Sequence, residues 1–160
     1  MSPHATPSDE AQRLSELRRY EILDTPPEPA FDRIAAIAAS SFQVPMSAIS
    51  LVDQDRIWFK ARHGTQMTEA ARDGGLCTIA IEGSDVFVVP DTAKDSRTSN
   101  HPMVRAKDGI RFYAAAPLRT KQGLNIGAMC IFDTTPRELS ETQRAALKSL
   151  AAIVMDQLEF

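Results

Sequence analysis

The sequence predicts an α+β fold, an antiparallel sheet flanked by helices. Two pairs of strand-like segments, 49–52 with 57–62 and 110–118 with 126–132, are each joined by a short polar turn, and turns this short connect antiparallel neighbours. Extended helical periodicity is confined to the two ends of the chain. The length of 160 residues supplies about one domain and not two.

The first helix starts at Thr6-Pro7, a capping residue followed by proline at the first helical position, with Asp9 and Glu10 at its positive end. Ala11, Leu14 and Leu17 form a narrow apolar stripe among Arg13, Glu16, Arg18 and Arg19. Asp24-Thr25-Pro26-Pro27 ends the segment, because proline removes a backbone donor and constrains the residue before it. A second helix begins near Pro29: Phe31, Ile34, Ala35, Ala38 and Phe42 recur at helical spacing until Pro45.

The period then changes to two. Ile49 to Val52 leads through Asp53-Gln54-Asp55 into Ile57 to Arg62, where Ile57, Phe59 and Ala61 alternate with Trp58, Lys60 and Arg62. Trp58 either lines a partner surface or packs beneath the terminal helices. Residues 64–76 read as a glycine-containing connection with one helical turn around Thr68 to Arg72, and 77–82 are ambiguous. Val86 to Val89 reads as a buried strand that stops at Pro90. A polar stretch from Asp91 to Asp108 follows, and long loops inside small domains are often functional. The second hairpin turns at Lys121-Gln122-Gly123. Ser140-Glu141-Thr142-Gln143 has the form of a capping box and opens the last helix, with Leu147, Leu150, Ala151, Val154 and Leu158 on one face and Ala146, Ile153 and Phe160 widening it.

Hydrophobic residues make up 43% of the chain, enough for a packed core, and a net charge of -3 offers no electrostatic footprint for nucleic acid or an anionic membrane. No apolar run reaches the roughly 18 residues of a span, and no signal peptide is recognisable, so the expected compartment is the cytoplasm. Cys77 and Cys130 lack metal or disulfide spacing, and His4, His63 and His101 add no metal-ligand pattern.

The chemical signals are few. Cys77 follows Gly74-Gly75-Leu76; at a helix start its thiol would be acidified, and otherwise it is a small core residue. Cys130 alternates with Ala128 and Phe132 and reads as core packing. Within the long loop, Asp91, Asp95, Arg97 and His101 either face a small polar ligand or order the loop through turn caps and an Asp95–Arg97 pair. Arg111 and Tyr113, on the following strand, are placed to face whatever space that loop covers.

Taken in order, these pieces resemble the GAF domain, of the type N-terminal to bacterial diguanylate cyclases and sensor histidine kinases. The residues that carry the resemblance are Arg19 to Glu28 with Phe31-Asp32, Ile49 to Asp53 with Trp58-Phe59-Lys60, Cys77, Val89-Pro90-Asp91 with Asp95 and Arg97, Ile110 to Tyr113 with Pro117-Leu118, and Ile126-Gly127 through Asp133. The resemblance implies a central antiparallel sheet of five or six strands, N- and C-terminal helices packed on one face, and loops and short helices over a cavity on the other. It divides the chain into an N-terminal helical extension, 1–15, and one GAF domain, 16–160.

It also implies a non-catalytic sensory role: binding of an unidentified small molecule or partner, homodimerisation through the terminal helices, and signalling to a downstream kinase or cyclase. The ligand-binding candidates are Cys77, Asp91, Asp95, Arg97, His101, Arg111 and Tyr113. The cofactor is left unknown. The Asn-Lys…Phe…Asp-Glu signature of cyclic-nucleotide binders is not found, and Thr78 and Ile79 follow Cys77 where pigment-binding and other relatives carry His. Thr98 stands where relatives often have Phe, and Ala115 where they often have Gly. Two alternatives stay open, a ligand-free dimerisation module and a GAF-type free methionine-(R)-sulfoxide reductase. Against the enzyme, Ser99-Asn100-His101 replaces that group's cysteine cluster, and Cys130 belongs to a different strand from any partner that Cys77 would need.

Overall fold

The computed structural model describes residues 7–159. In chain order the elements are α1 (Pro7–Arg19), α2 (Pro29–Phe42), β1 (Met46–Val52), β2 (Arg56–His63), β3 (Glu69–Ala71), α3 (Leu76–Ala80), β4 (Phe87–Val89), α4 (Pro102–Arg105), β5 (Phe112–Arg119), β6 (Asn125–Asp133) and α5 (Glu141–Glu159). Among the described residues the strands form one sheet of six, ordered β3-β2-β1-β6-β5-β4, with every neighbouring pair antiparallel. The α+β expectation and both hairpins hold. The Thr6 cap and the Phe160 end of the apolar face lie outside the described residues.

The sheet is buried on both faces, and strand alternation sorts the two. On β1, Ile49 and Leu51 face the layer of α1, α2 and α5, while Ala48 and Val52 face the opposite core. On β5, Phe112, Ala114 and Ala116 face the helices, and Tyr113 and Ala115 face away from them. A bulge in β2 breaks the expected alternation: Ile49 pairs with Ala61 and Ser50 with Phe59, leaving Lys60 as the extra residue. The bulge turns Ala61 to the helix face, away from Ile57 and Phe59, where it joins Trp58, which packs beneath the helices and is 9% exposed.

Two helix ends have a clear local cause. In α5 the capping box is complete, with Ser140 Oγ accepting from the Gln143 amide at 3.1 Å and Gln143 Oε1 accepting from the Ser140 amide at 2.9 Å. Helix α2 stops where Gln43 turns left-handed (φ 54°) and Val44 N bonds back to Ala39 O at 3.0 Å, one residue ahead of Pro45. In α5, Leu147, Ala151, Val154 and Met155 are buried and Leu150 and Leu158 are half-buried. Ala146 and Ile153 are exposed.

Several local readings change in the structure. Residues 69–71 form the edge strand β3 and not a helical turn, because their amides and carbonyls complete the open side of β2. The ambiguous 77–82 segment overlaps α3, a five-residue helix that begins at Leu76 and lies on the sheet. Strand β4 is an edge in which Val89 alone is buried, and Phe87 and Val88 are half-exposed. In α1 the stripe narrows further: Ala11 is exposed, and Arg13 is 5% exposed, its guanidinium donating to Val52 O at 2.6 Å while paired with Glu10.

Candidate functional site

A cavity of about 50 Å³ lies on the sheet face opposite the terminal helices. Ala48 of β1, Ile57 and Phe59 of β2, Tyr113 of β5, and Cys130 and Phe132 of β6 contribute its sheet side. Leu76 and Cys77 of α3 close one flank, and His101 and Met103 around α4 close another. Outside it an open groove of about 490 Å³ shares Met67, Ala70, His101 and Met103 with the cavity and adds Glu69, Asp73, Arg97 and Asn100. Methionine at both shared walls gives the partition an adaptable apolar surface.

The cavity's polar floor is a cluster of two thiols and a phenol. Cys77 Sγ and Cys130 Sγ are 3.5 Å apart. The Tyr113 hydroxyl donates to Cys77 Sγ at 3.1 Å and lies 3.2 Å from Cys130 Sγ. Ser50 Oγ stands 3.7 Å from Cys130 Sγ and donates to Ala128 O at 3.2 Å. Both cysteines are free. The hydrogen bond from Cys130, seconded by those of Ser50 and Tyr113, holds the Cys77 thiol below its ordinary value against the cost of its burial. Burial, then the neighbouring Cys77, pushes Cys130 up, and burial likewise raises Tyr113. The pair gives up one proton before the other, and the hydrogen bond donated by Tyr113 places the charge on Cys77 Sγ.

The long loop is held from within. Buried Thr92 donates through Oγ1 to Ile110 O at 2.6 Å, and buried Thr98 donates to Thr92 O at 2.7 Å. Asp91 Oδ1 accepts from the Ala93 amide at 3.2 Å, and Asp95 Oδ1 from the Arg97 amide at 2.9 Å, both turns of the Asx kind. Arg97 closes a two-pronged pair on Asp95, at 2.9 and 2.6 Å, and its guanidinium covers the Phe87 ring at 4.8 Å. His101 Nδ1 accepts from the Met103 amide at 3.0 Å and so caps α4.

Of the residues singled out from the sequence, Cys77, His101 and Tyr113 line the cavity, and Arg97 lines the outer groove. Asp91 and Asp95 turn onto their own loop, and the Arg111 guanidinium binds the carbonyls of Val104 and Ile110, tying α4 to the start of β5. Cys130 and Ser50 were missed. The signal for Cys130 was its shared face with Phe132, but its meeting with Cys77 depends on where α3 rests. Among the described residues no three His, Cys, Asp or Glu side chains gather as metal ligands, and no helix is long and apolar enough to cross a membrane.

The fold is shared with known proteins. The chain is 38% identical over 153 residues to a cyclic di-GMP phosphodiesterase of Pseudomonas aeruginosa; the match covers 95% of this chain but 26% of that protein, so the chain spans about a quarter of its relative's length. In structure it is similar to the GAF domain of an Acinetobacter phosphoenolpyruvate-protein phosphotransferase (TM-score 0.67, 17% identity, 92% of this chain and 93% of that one). It is similar in fold to a free methionine-R-sulfoxide reductase from Neisseria meningitidis solved with its substrate (TM-score 0.66, 18% identity, 98% and 93% covered). The family model for the GAF domain matches residues 26–158, and with that match the chain belongs to the GAF domain family.

Proposed function

We propose that this chain is a sensory GAF domain that binds a small molecule over the Cys77–Tyr113–Cys130 floor and passes the binding event to its terminal helices, which pair with a second copy. One observation carries the reading: the same strands present Tyr113 and Cys130 to the cavity on one face and Phe112 and Met129 to the helix core on the other. A ligand that favours one packing of the cavity face thereby biases the helix face, by as much as its affinities for the two packings differ. Likeness to the phosphodiesterase supports an output in cyclic di-GMP signalling, delivered by another domain or protein. Cytoplasmic location is part of the same reading.

The cavity's volume holds only a few water-sized molecules, so a larger ligand lies in the outer groove and sends an apolar group past Met67 and Met103. Native mass spectrometry of freshly purified protein tests this. A retained small-molecule adduct, released on denaturation, is the expected result. A bare polypeptide mass, with no thermal shift on adding metabolite extract, overturns it in favour of a ligand-free dimerisation module.

The contact of the two thiols removes one objection to a free methionine-(R)-sulfoxide reductase and makes that the second reading. An assay of free methionine sulfoxide reduction with a thiol donor, repeated on Cys77→Ser, decides it. Turnover that the substitution abolishes is the outcome this reading requires.

A further inference from the structure

We infer that Cys77 and Cys130 form a peroxide-reactive dithiol, converted by a small hydroperoxide into an intramolecular disulfide across the cavity floor. The two sulfurs sit 3.5 Å apart, joined by no bond, on elements 53 residues apart in sequence. A disulfide needs about 2 Å, so closure requires about 1.5 Å of approach, within reach of thiol rotation and a small shift of the short helix α3. A cavity of about 50 Å³ opens onto both sulfurs. That space accepts hydrogen peroxide, which is little larger than water, and excludes bulkier oxidants such as glutathione disulfide.

The chemistry balances with hydrogen peroxide as the oxidant. The Cys77 thiolate attacks one peroxide oxygen, the O–O bond breaks, and the departing hydroxide takes up a proton to leave as water; Cys77 becomes a sulfenic acid. The Cys130 sulfur then attacks the Cys77 sulfur, the S–O bond breaks, and the hydroxyl leaves with the Cys130 proton as a second water. The two thiols lose two electrons and the peroxide gains them. Cys77 is the attacking sulfur because it accepts the Tyr113 hydrogen bond, which holds its negative charge. Cys130, whose thiol burial keeps protonated, resolves.

The reaction does not rest on the sensory reading. A chain that binds no ligand would still cross-link, and a chain that binds one would do so whether or not its thiols react.

The test treats the native protein with hydrogen peroxide, stops the reaction with acid, alkylates the remaining thiols in denaturant at neutral pH, and maps peptides without reduction. The expected product is a Cys77–Cys130 peptide in a monomeric chain lighter by two hydrogens, reversed by dithiothreitol. The rate should rise with pH and level off below the range in which an ordinary exposed thiol ionises. On Cys130→Ala, which removes the main hydrogen bond to Cys77, peroxide should act more slowly, and dimedone added together with denaturant should trap a sulfenic acid at Cys77; Tyr113→Phe should form the cross-link severalfold more slowly than the wild type near pH 7. Full alkylation of both thiols after excess peroxide, oxygen gained at one cysteine of the wild type without a cross-link, or a disulfide between chains would each overturn the proposal. The wild-type peptide map decides the matter even if a variant fails to fold.

Discussion

Glu10 of α1 and Arg72, just past β3, form an ion pair at 2.6 Å that fastens the first helix to the segment leading into α3. Arg72 also donates to Asp53 O at 2.9 Å, and its own carbonyl accepts from the Thr78 hydroxyl, next to Cys77. Glu10 holds Arg13 as well. Although burial alone would raise the Glu10 carboxyl, the two arginines outweigh it and hold the group near 2, below its ordinary value of 4.5. A carboxyl lowered in the folded state contributes stability above its unfolded value, and that contribution is lost as pH falls from about 4.5 towards 2. Glu10→Gln should therefore cost about 1–2 kcal/mol at pH 7, after allowance for solvent screening, and almost nothing at pH 2. Urea unfolding at the two pH values measures the difference.

Lys60 is nearly inaccessible, 3% exposed, yet its ammonium is satisfied by Thr25 Oγ1 at 2.8 Å, Pro26 O at 2.6 Å and Glu28 at 2.6 Å, and lies 5.6 Å from the centre of the Phe31 ring. It pins the Pro26-Pro27 linker to β2. The partners are unequal, because the Glu28 side chain is 52% exposed and can be rehydrated. Lys60→Met, similar in size, should cost about 2–3 kcal/mol through the unpaired Pro26 carbonyl and lost ion pairing. Glu28→Gln should cost less than about 1 kcal/mol. A Glu28→Gln cost equal to that of Lys60→Met in thermal unfolding would show that the carboxylate, and not the backbone contact, carries the latch.

The sheet tolerates no side chain at Gly127. A Cβ there would stand 1.9 Å from Ser50 O and 2.9 Å from Ser50 C, and both belong to β1, which is paired on both sides at the centre of the sheet. Neither strand can retreat. Gly127→Ala should cost more than about 3 kcal/mol or prevent folding. Gly74 offers the contrast: its φ is +69° but nothing lies within 4 Å of a new Cβ, so Gly74→Ala should cost about 1–2 kcal/mol from left-handed strain alone. Denaturant midpoints of the pair separate steric from conformational cost.

These features differ in how far the sequence shows them. The α5 capping box and the Asp95–Arg97 turn are local, made by residues at most three apart, and both are legible from side-chain type. The edge strand at Glu69-Ala70-Ala71 is not, since it has neither length nor β-branched residues and exists only because β2 has an open side. The burial of Arg13 is invisible in the same way: its partner is a carbonyl on β1. The site divides along this line. Tyr113 and Cys77 could be named from strand period and a glycine-flanked helix start, whereas the Cys77–Cys130 contact follows from the register that sets Cys130 between Ala48 and Ala115 and from the seat of α3, neither of which leaves a local mark.

His101 couples the cavity wall to pH. Its Nδ1 must stay unprotonated to accept from the Met103 amide, and burial lowers the imidazole below its ordinary 6.5. The sign follows: because the unfolded chain takes up the proton more readily, the capped state is fully favoured above about 6.5 and loses that advantage as pH falls through the folded value. The His101 ring resonances should titrate below 6.5 in NMR, with the Met103 amide losing protection relative to its intrinsic exchange rate over the same range. His101→Asn retains a side-chain acceptor and should keep α4 while abolishing the pH dependence. A midpoint above 6.5 would contradict the assigned tautomer.

The proposed pairing of two copies rests on the outer surface of the helix layer. Ile37 of α2 and Ile153 of α5 are 54% and 49% exposed, on helices that pack against each other. Along α5, Ala146, Leu150, Ile153 and Gln157 follow alternating four- and three-residue steps, the spacing of a coiled-coil seam. The buried face of α5 is made by Leu147, Ala151, Val154 and Met155, with Leu150 packed against its edge, so exposed Ile153 can be altered without opening the core. Ile153→Glu should convert a dimer to a monomer by sedimentation at micromolar concentration, with thermal stability reduced only by the loss of self-association. A wild-type chain that sediments as a monomer at high micromolar concentration would defeat the dimer. A dimer unaffected by Ile153→Glu would move the interface off this seam.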